Sequence, residues 1–81
     1  MNPLERTTEQ RKCEEWERNG WVVIKMGFDG LPDRLIVMGR GEHFWAEFKR
    51  KRGGRLTPAQ KRRFPKLEAM GEEIRILTEE T

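Results

Sequence analysis

Residues 43–49 read HFWAEFK, and this run decides the fold. Successive side chains on a strand point to opposite faces. The alternation sends Phe44, Ala46 and Phe48 to one face and Trp45, Glu47 and Lys49 to the other. A strand with one apolar face and a charged patch on the other calls for neighbours on both sides. Upstream, RLIVM at 34–38 is a second strand, joined to the first by the tight turn Gly39-Arg40-Gly41, which predicts a hairpin. WVVIKM at 21–26 is a β-branched run that reads as a further, buried strand. Between these two, GFDGLPD at 27–33 holds two glycines and a proline and is a loop.

Two helices flank the strands. Asn2, Pro3 and Glu5 form a start signal for a helix over about residues 3–18, which Asn19-Gly20 ends. Leu4, Thr8, Cys13 and Trp16 give it a weakly apolar stripe. Thr57-Pro58 starts the second helix, with Gln60, Phe64 and Leu67 on one face. Pro65 lies inside it and predicts a kink or break near residues 61–65, because an interior proline removes a hydrogen bond at a cost of ~3 kcal/mol. Gly71 ends that helix, and EIRIL at 73–77 is the last strand. The expected order is α-β-β-β-α-β, a mixed four-stranded sheet whose last two strands run parallel.

Composition narrows the classes. The chain has 81 residues, which predicts one domain with a thin core. Only 35% of residues are apolar and 38% are charged, yet the net charge is +3, which argues against disorder. One cysteine, Cys13, excludes an internal disulfide, and with His43 alone it cannot complete a zinc site. No apolar run is long enough for a membrane span or a signal peptide, so the expectation is a cytoplasmic protein. Cys13 reads as packing and His43 as a strand-end surface residue. The tryptophans read as core or interface, with Trp45 singled out because it shares a face with Glu47 and Lys49.

The small net charge conceals an asymmetry. Residues 48–67 carry nine basic side chains and no acid, and the rest of the chain carries 8 basic against 14 acidic residues, a net of −6. A block of this density is a contact surface for a polyanion. Lys and Arg contacts to phosphate give affinity and salt dependence without reading sequence.

The chemistry gathers around Glu47. On a strand its carboxylate and the Lys49 ammonium converge. An acid-x-Lys triplet arises about once by chance in such a chain, and its structural reading is an ion pair worth at most ~1 kcal/mol. Pro32-Asp33 sits one hairpin away from Glu47. Two carboxylates at one end of a sheet suit Mg²⁺, a hard cation that takes one or two protein carboxylates plus water. Beside a lysine and a basic surface, that pair points to metal-assisted phosphodiester hydrolysis. Gln60 faces inward and needs a partner, as a backbone hydrogen bond or as part of the site.

GLPDRLIV at 30–37, FWAEFKR at 44–50 and LTPAQ at 56–60 together resemble the VRR-Nuc (virus-type replication-repair nuclease) branch of the PD-(D/E)XK nucleases, over roughly residues 5–77. Small stand-alone members of this type occur in bacteriophages and bacteria. The resemblance implies a restriction-endonuclease-like core and a Mg²⁺- or Mn²⁺-dependent DNA endonuclease acting on branched DNA such as a junction or flap. It implies that Asp33 and Glu47 bind the metal with the Phe48 carbonyl, that Lys49 orients or activates the attacking water, and that Gln60 helps arrange the site. It assigns the first-helix acid to Glu5, with Glu9 as fallback, and a phosphate contact to Lys25. Arg50, Lys51, Arg52, Arg55, Lys61 and Arg62 would hold the DNA. A homodimer or higher homo-oligomer is expected from the thin core and half-polar first helix. The competing readings are a non-catalytic nucleic-acid-binding module that uses the basic segment, and a small assembly protein.

Overall fold

The computed structural model describes residues 7–79. Its order is α1 (Thr8–Arg18), β1 (Val22–Lys25), β2 (Arg34–Gly39), β3 (Glu42–Phe48), α2 (Pro58–Ala69) and β4 (Ile74–Leu77). The strands form one mixed sheet in the order β1-β2-β3-β4. β1 and β3 each run antiparallel to β2, and β3 pairs in parallel with β4 across the α2 crossover. The expected α-β-β-β-α-β order therefore holds. The β2–β3 turn passes through Gly39, Arg40 and Gly41, all at positive φ. Two glycines take most of that strain, since positive φ costs residues that carry a Cβ.

α1 covers one face of the sheet. Trp16 packs with Ile36, Phe44, Ala46 and Leu77, and the Trp16 ring meets Phe44 edge-on at 5.3 Å. Cys13, Trp21, Val23, Met38 and Phe48 close the margins. Burial pushes the Cys13 thiol above its ordinary value, as expected of a packing residue rather than a reactive one. Glu47 alternates with Phe44 and Ala46, so it emerges on the opposite face. α2 lies on that side, with Gln60 and Phe64 buried.

Three local expectations are corrected. α1 does not start at Asn2-Pro3. Its cap is Thr7, whose hydroxyl accepts the Gln10 N–H at 3.1 Å while the Gln10 side chain accepts the Thr7 N–H at 3.1 Å. Thr-x-x-Gln meets the capping-box requirement with both halves reciprocated. Asn2, Pro3, Leu4 and Glu5 lie outside the described residues. α2 is continuous through Pro65. Lys61 and Pro65 are both exposed, so water can take up the Lys61 carbonyl that proline leaves without a donor. β1 is not buried on both sides, because Val22 is 57% and Ile24 39% exposed. It is an edge strand, and α1 covers only the face that carries Val23.

Candidate active site

The loop before β2 brings in the first carboxylate. Pro32 is fully buried and fixes the backbone there, and Met26 N–H donates to the Asp33 carbonyl at 2.9 Å. Asp33 stands just before β2, whose first residue, Arg34, is in register with Ala46 of β3. Its Oδ2 accepts the Phe48 N–H at 2.8 Å, and its own N–H donates to Glu47 Oε1 at 3.1 Å. Asp33 is thus tied to β3 twice, once to the Glu47 carboxylate and once to the Phe48 backbone.

Glu47 is the hub, with only 2% of its surface exposed. A buried carboxylate needs compensation, because an unpaired charge in a poorly solvated site is costly. Lys49 Nζ lies 2.8 Å from Glu47 Oε2, and Gln60 Nε2 donates to the same oxygen at 3.0 Å. Gln60 also reaches the Leu31 carbonyl at 3.4 Å, and its Oε1 accepts the Thr57 N–H at 3.0 Å as the second half of the α2 capping box. One glutamine side chain therefore ties helix, loop and strand together. A carboxylate oxygen has two lone pairs. Oε2 is filled by Lys49 and Gln60, which leaves Oε1 as the Glu47 atom with spare accepting capacity.

The donor chemistry fits a hard divalent cation. Asp33 and Glu47 offer carboxylate oxygens, and the Phe48 N–H that meets Asp33 places the same residue's carbonyl on that edge of β3, since both groups of a strand residue leave to one side. Among the described residues, no group of three or more His, Cys, Asp or Glu side chains is gathered for metal binding. Two carboxylates with water are the set Mg²⁺ commonly takes.

Of the two first-helix acids, Glu5 lies outside the described residues. Glu9 pairs with Arg34, next to Asp33, through Oε2 at 2.8 Å, and it lines a cleft of about 360 Å³ with Phe48, Lys49 and Arg50. Lys25 is the register partner of Arg34 at the exposed end of β1, and the alternation puts it on the α1 face, opposite Glu47. Arg50, Lys51, Arg52 and Arg55 sit on the exposed β3–α2 connection. That connection is tight, because a Cβ on Gly54 would meet the Arg50 nitrogen at 2.6 Å. The Lys51 N–H donates to Glu79 Oε2 at 2.8 Å, and hydrogen bonds from the backbone of Glu79 itself and then of Lys51 hold the Glu79 carboxyl below its ordinary value. Lys61 and Arg62 are exposed on α2, about 100° apart around its axis, so they look out from different flanks.

At the other end of the sheet, Trp45 Nε1–H donates to Glu72 Oε1 at 2.7 Å, and His43 Nε2 lies 2.7 Å from the same oxygen. Trp45 shares a strand face with Glu47, as the alternation requires, but its indole N–H is held by Glu72. The hydrogen bond to Glu72 raises the His43 pKa, and bonds from Trp45 and His43 lower that of Glu72. Sequence reading did not single out Glu72. Its only signal was its place in the turn before β4.

No family model, curated protein or solved structure matches the chain. No helix among the described residues is long and apolar enough to cross a membrane.

Proposed function

We propose that the chain is a metal-dependent DNA endonuclease built on a PD-(D/E)XK core of the VRR-Nuc type. The observation that carries this reading is the convergence of Asp33, Glu47, Lys49 and Gln60, from three separate stretches of the sequence, into one bonded network at the end of β3. Asp33, Glu47 through Oε1, and the Phe48 carbonyl would hold Mg²⁺ or Mn²⁺. Such an ion supplies Lewis-acid stabilisation and lowers the pKa of bound water. Lys49 places a fixed ammonium beside the carboxylates, where it orients a water for attack on phosphorus and stabilises charge developing on the phosphoryl oxygens. Gln60 holds Glu47 in one rotamer. The basic 48–67 segment holds the phosphate backbone. The substrate is branched or structured DNA, and the protein is a homodimer. Exposed Val22, Ile24 and Ile76 supply apolar surface on the Glu47 face that a second copy would cover, and a monomer in sedimentation at micromolar concentration would refute that part.

A second reading, binding without catalysis, draws on one observation. Glu47 is enclosed by three donors, as a purely structural network would also require. Cleavage assays on linear, supercoiled, flap and four-way-junction DNA in EDTA, Mg²⁺ or Mn²⁺ separate the two. We expect cleavage that requires metal and that Lys49→Ala abolishes while DNA binding remains. Binding without cleavage of any substrate under either metal would leave only the second reading.

A further inference from the structure

Phe28 stands out on the surface. It is 72% exposed, although the loop that carries it is firmly anchored. The Leu31 N–H closes a turn onto the Phe28 carbonyl at 3.2 Å. Asp29 Oδ1 accepts the Thr57 hydroxyl at 3.1 Å, Leu31 O accepts the Gln60 amide at 3.4 Å, and Pro32 is fully buried. The ring is therefore presented from a fixed base. Such an arrangement loses little entropy when it binds a flat partner.

A basic notch adjoins this loop. Gly30 (φ 91°) lies against α2 so closely that a Cβ there would meet Ala59 Cβ at 3.4 Å and Arg63 Nε at 3.6 Å. Ala59, Arg62, Arg63 and Lys66 recur at helical spacing and line a hollow of about 130 Å³. All three cations are exposed, and none pairs with a described carboxylate. Lys61 faces another flank of the helix and is not part of the notch. Phe28 is two residues from Gly30, less than about 7 Å of backbone, so ring and cations come within reach of one nucleotide. Asp29, beside the ring, repels phosphate at the loop tip and favours a base there.

We propose that Phe28 and the Arg62–Arg63–Lys66 notch form a binding site for an unpaired nucleotide, the base stacked on Phe28 and its phosphate held in the notch. A lone aromatic ring on a loop tip stacks on a base only when that base has left its own stack. The site sits on the loop that delivers Asp33, so it selects DNA with unpaired bases next to the proposed cleavage position. The inference rests on the nucleic-acid reading above and extends it to substrate selection.

The test is fluorescence anisotropy in EDTA on the full chain, with a labelled single strand of about 15 nucleotides and a duplex of equal length. Phe28→Ala should weaken single-strand binding roughly 5- to 150-fold, leave duplex binding within about twofold, and be rescued by Phe28→Trp. Replacing Arg62, Arg63 and Lys66 together with alanine should weaken both and flatten the salt dependence by about 0.7 in log–log slope for each phosphate of the single strand that is no longer neutralised. Melting curves verify that these surface variants fold. The proposal is overturned if Phe28→Ala changes neither affinity, if it weakens both equally, if the triple variant keeps the wild-type salt slope, or if the wild type binds no single strand. Because EDTA removes cleavage from this measurement, a protein that selects unpaired DNA but never cuts overturns the nuclease reading and supports this site. One that cuts with metal while Phe28→Ala keeps its single-strand affinity does the opposite.

Discussion

Lys49→Ala perturbs the centre of the network, and its effect on stability follows from the geometry. The ammonium sits 2.8 Å from the oxygen of a carboxylate only 2% exposed. Removing one partner of a buried pair costs about 3–5 kcal/mol, because the other charge is left behind. Lys49 keeps 18% of its side chain exposed, so water reaches part of the vacated space, and Gln60 and the Asp33 N–H still hold Glu47. The expected loss is therefore lower, about 2–3 kcal/mol. In a domain of this size that lowers Tm by roughly 8–24 °C. The assay is urea denaturation followed by circular dichroism, run as a double-mutant cycle with Glu47→Gln. Glu47→Gln removes the charge that needs the lysine, so Lys49→Ala in that background should cost less than about 0.5 kcal/mol, giving a coupling of about 2 kcal/mol. Equal cost in both backgrounds would refute the claim that the lysine compensates a buried carboxylate. Both single variants should also lose metal-dependent cleavage by at least about 100-fold at temperatures where they remain folded.

Pro65→Ala should stabilise the protein by about 2 kcal/mol in the same titration, because it restores a donor to the Lys61 carbonyl at an exposed helix position, and a neutral or destabilising result would count against the helix as described. Mn²⁺ should raise the Tm of the wild type and leave Asp33→Asn unmoved, since an ion that binds the folded state stabilises it by mass action, and an equal rise in both would remove Asp33 from the ligand set. The His43–Glu72 pair should make stability depend on pH. The folded His43 value lies above 6.5, so its contribution is complete below 6.5 and is lost as pH rises through the folded value. The Glu72 value lies below 4.5, so its contribution is present above 4.5 and fades on acidification through the folded value. Against His43→Gln, the wild-type Tm advantage should be greatest between those limits and vanish in mild base. A flat difference would show that the pair does not titrate with folding.

Much of the fold was legible because it rests on short-range rules. The alternation in HFWAEFK set which residues face α1, the glycines at 39 and 41 marked the hairpin, and Thr57-Pro58 marked the start of α2. Glu47 and Lys49 converge because a strand repeats every two residues. Other features were not local. The capping of α1 by Thr7, and the continuity of α2 through Pro65, depend on what the surroundings satisfy. WVVI was apolar enough for a buried strand, but exposure is set by how much of the sheet two short helices can cover, and Val22 and Ile24 remain in solvent.

By itself the sequence determined the order of elements, the faces of β3, the inward stripe of Gln60 and Phe64, and the asymmetry of charge, since each depends on a repeat or a composition that the chain carries locally. Only the tertiary structure decided what Gln60 binds, which acid pairs with Arg34, that Trp45 belongs to Glu72, and that Gly30 lies against Arg63. Those partners are far apart in sequence, and periodicity fixes the direction of a side chain but not the element packed against it. Burial then selects the pairings, because a carboxylate as enclosed as Glu47 persists only where donors from two other segments join the neighbouring lysine.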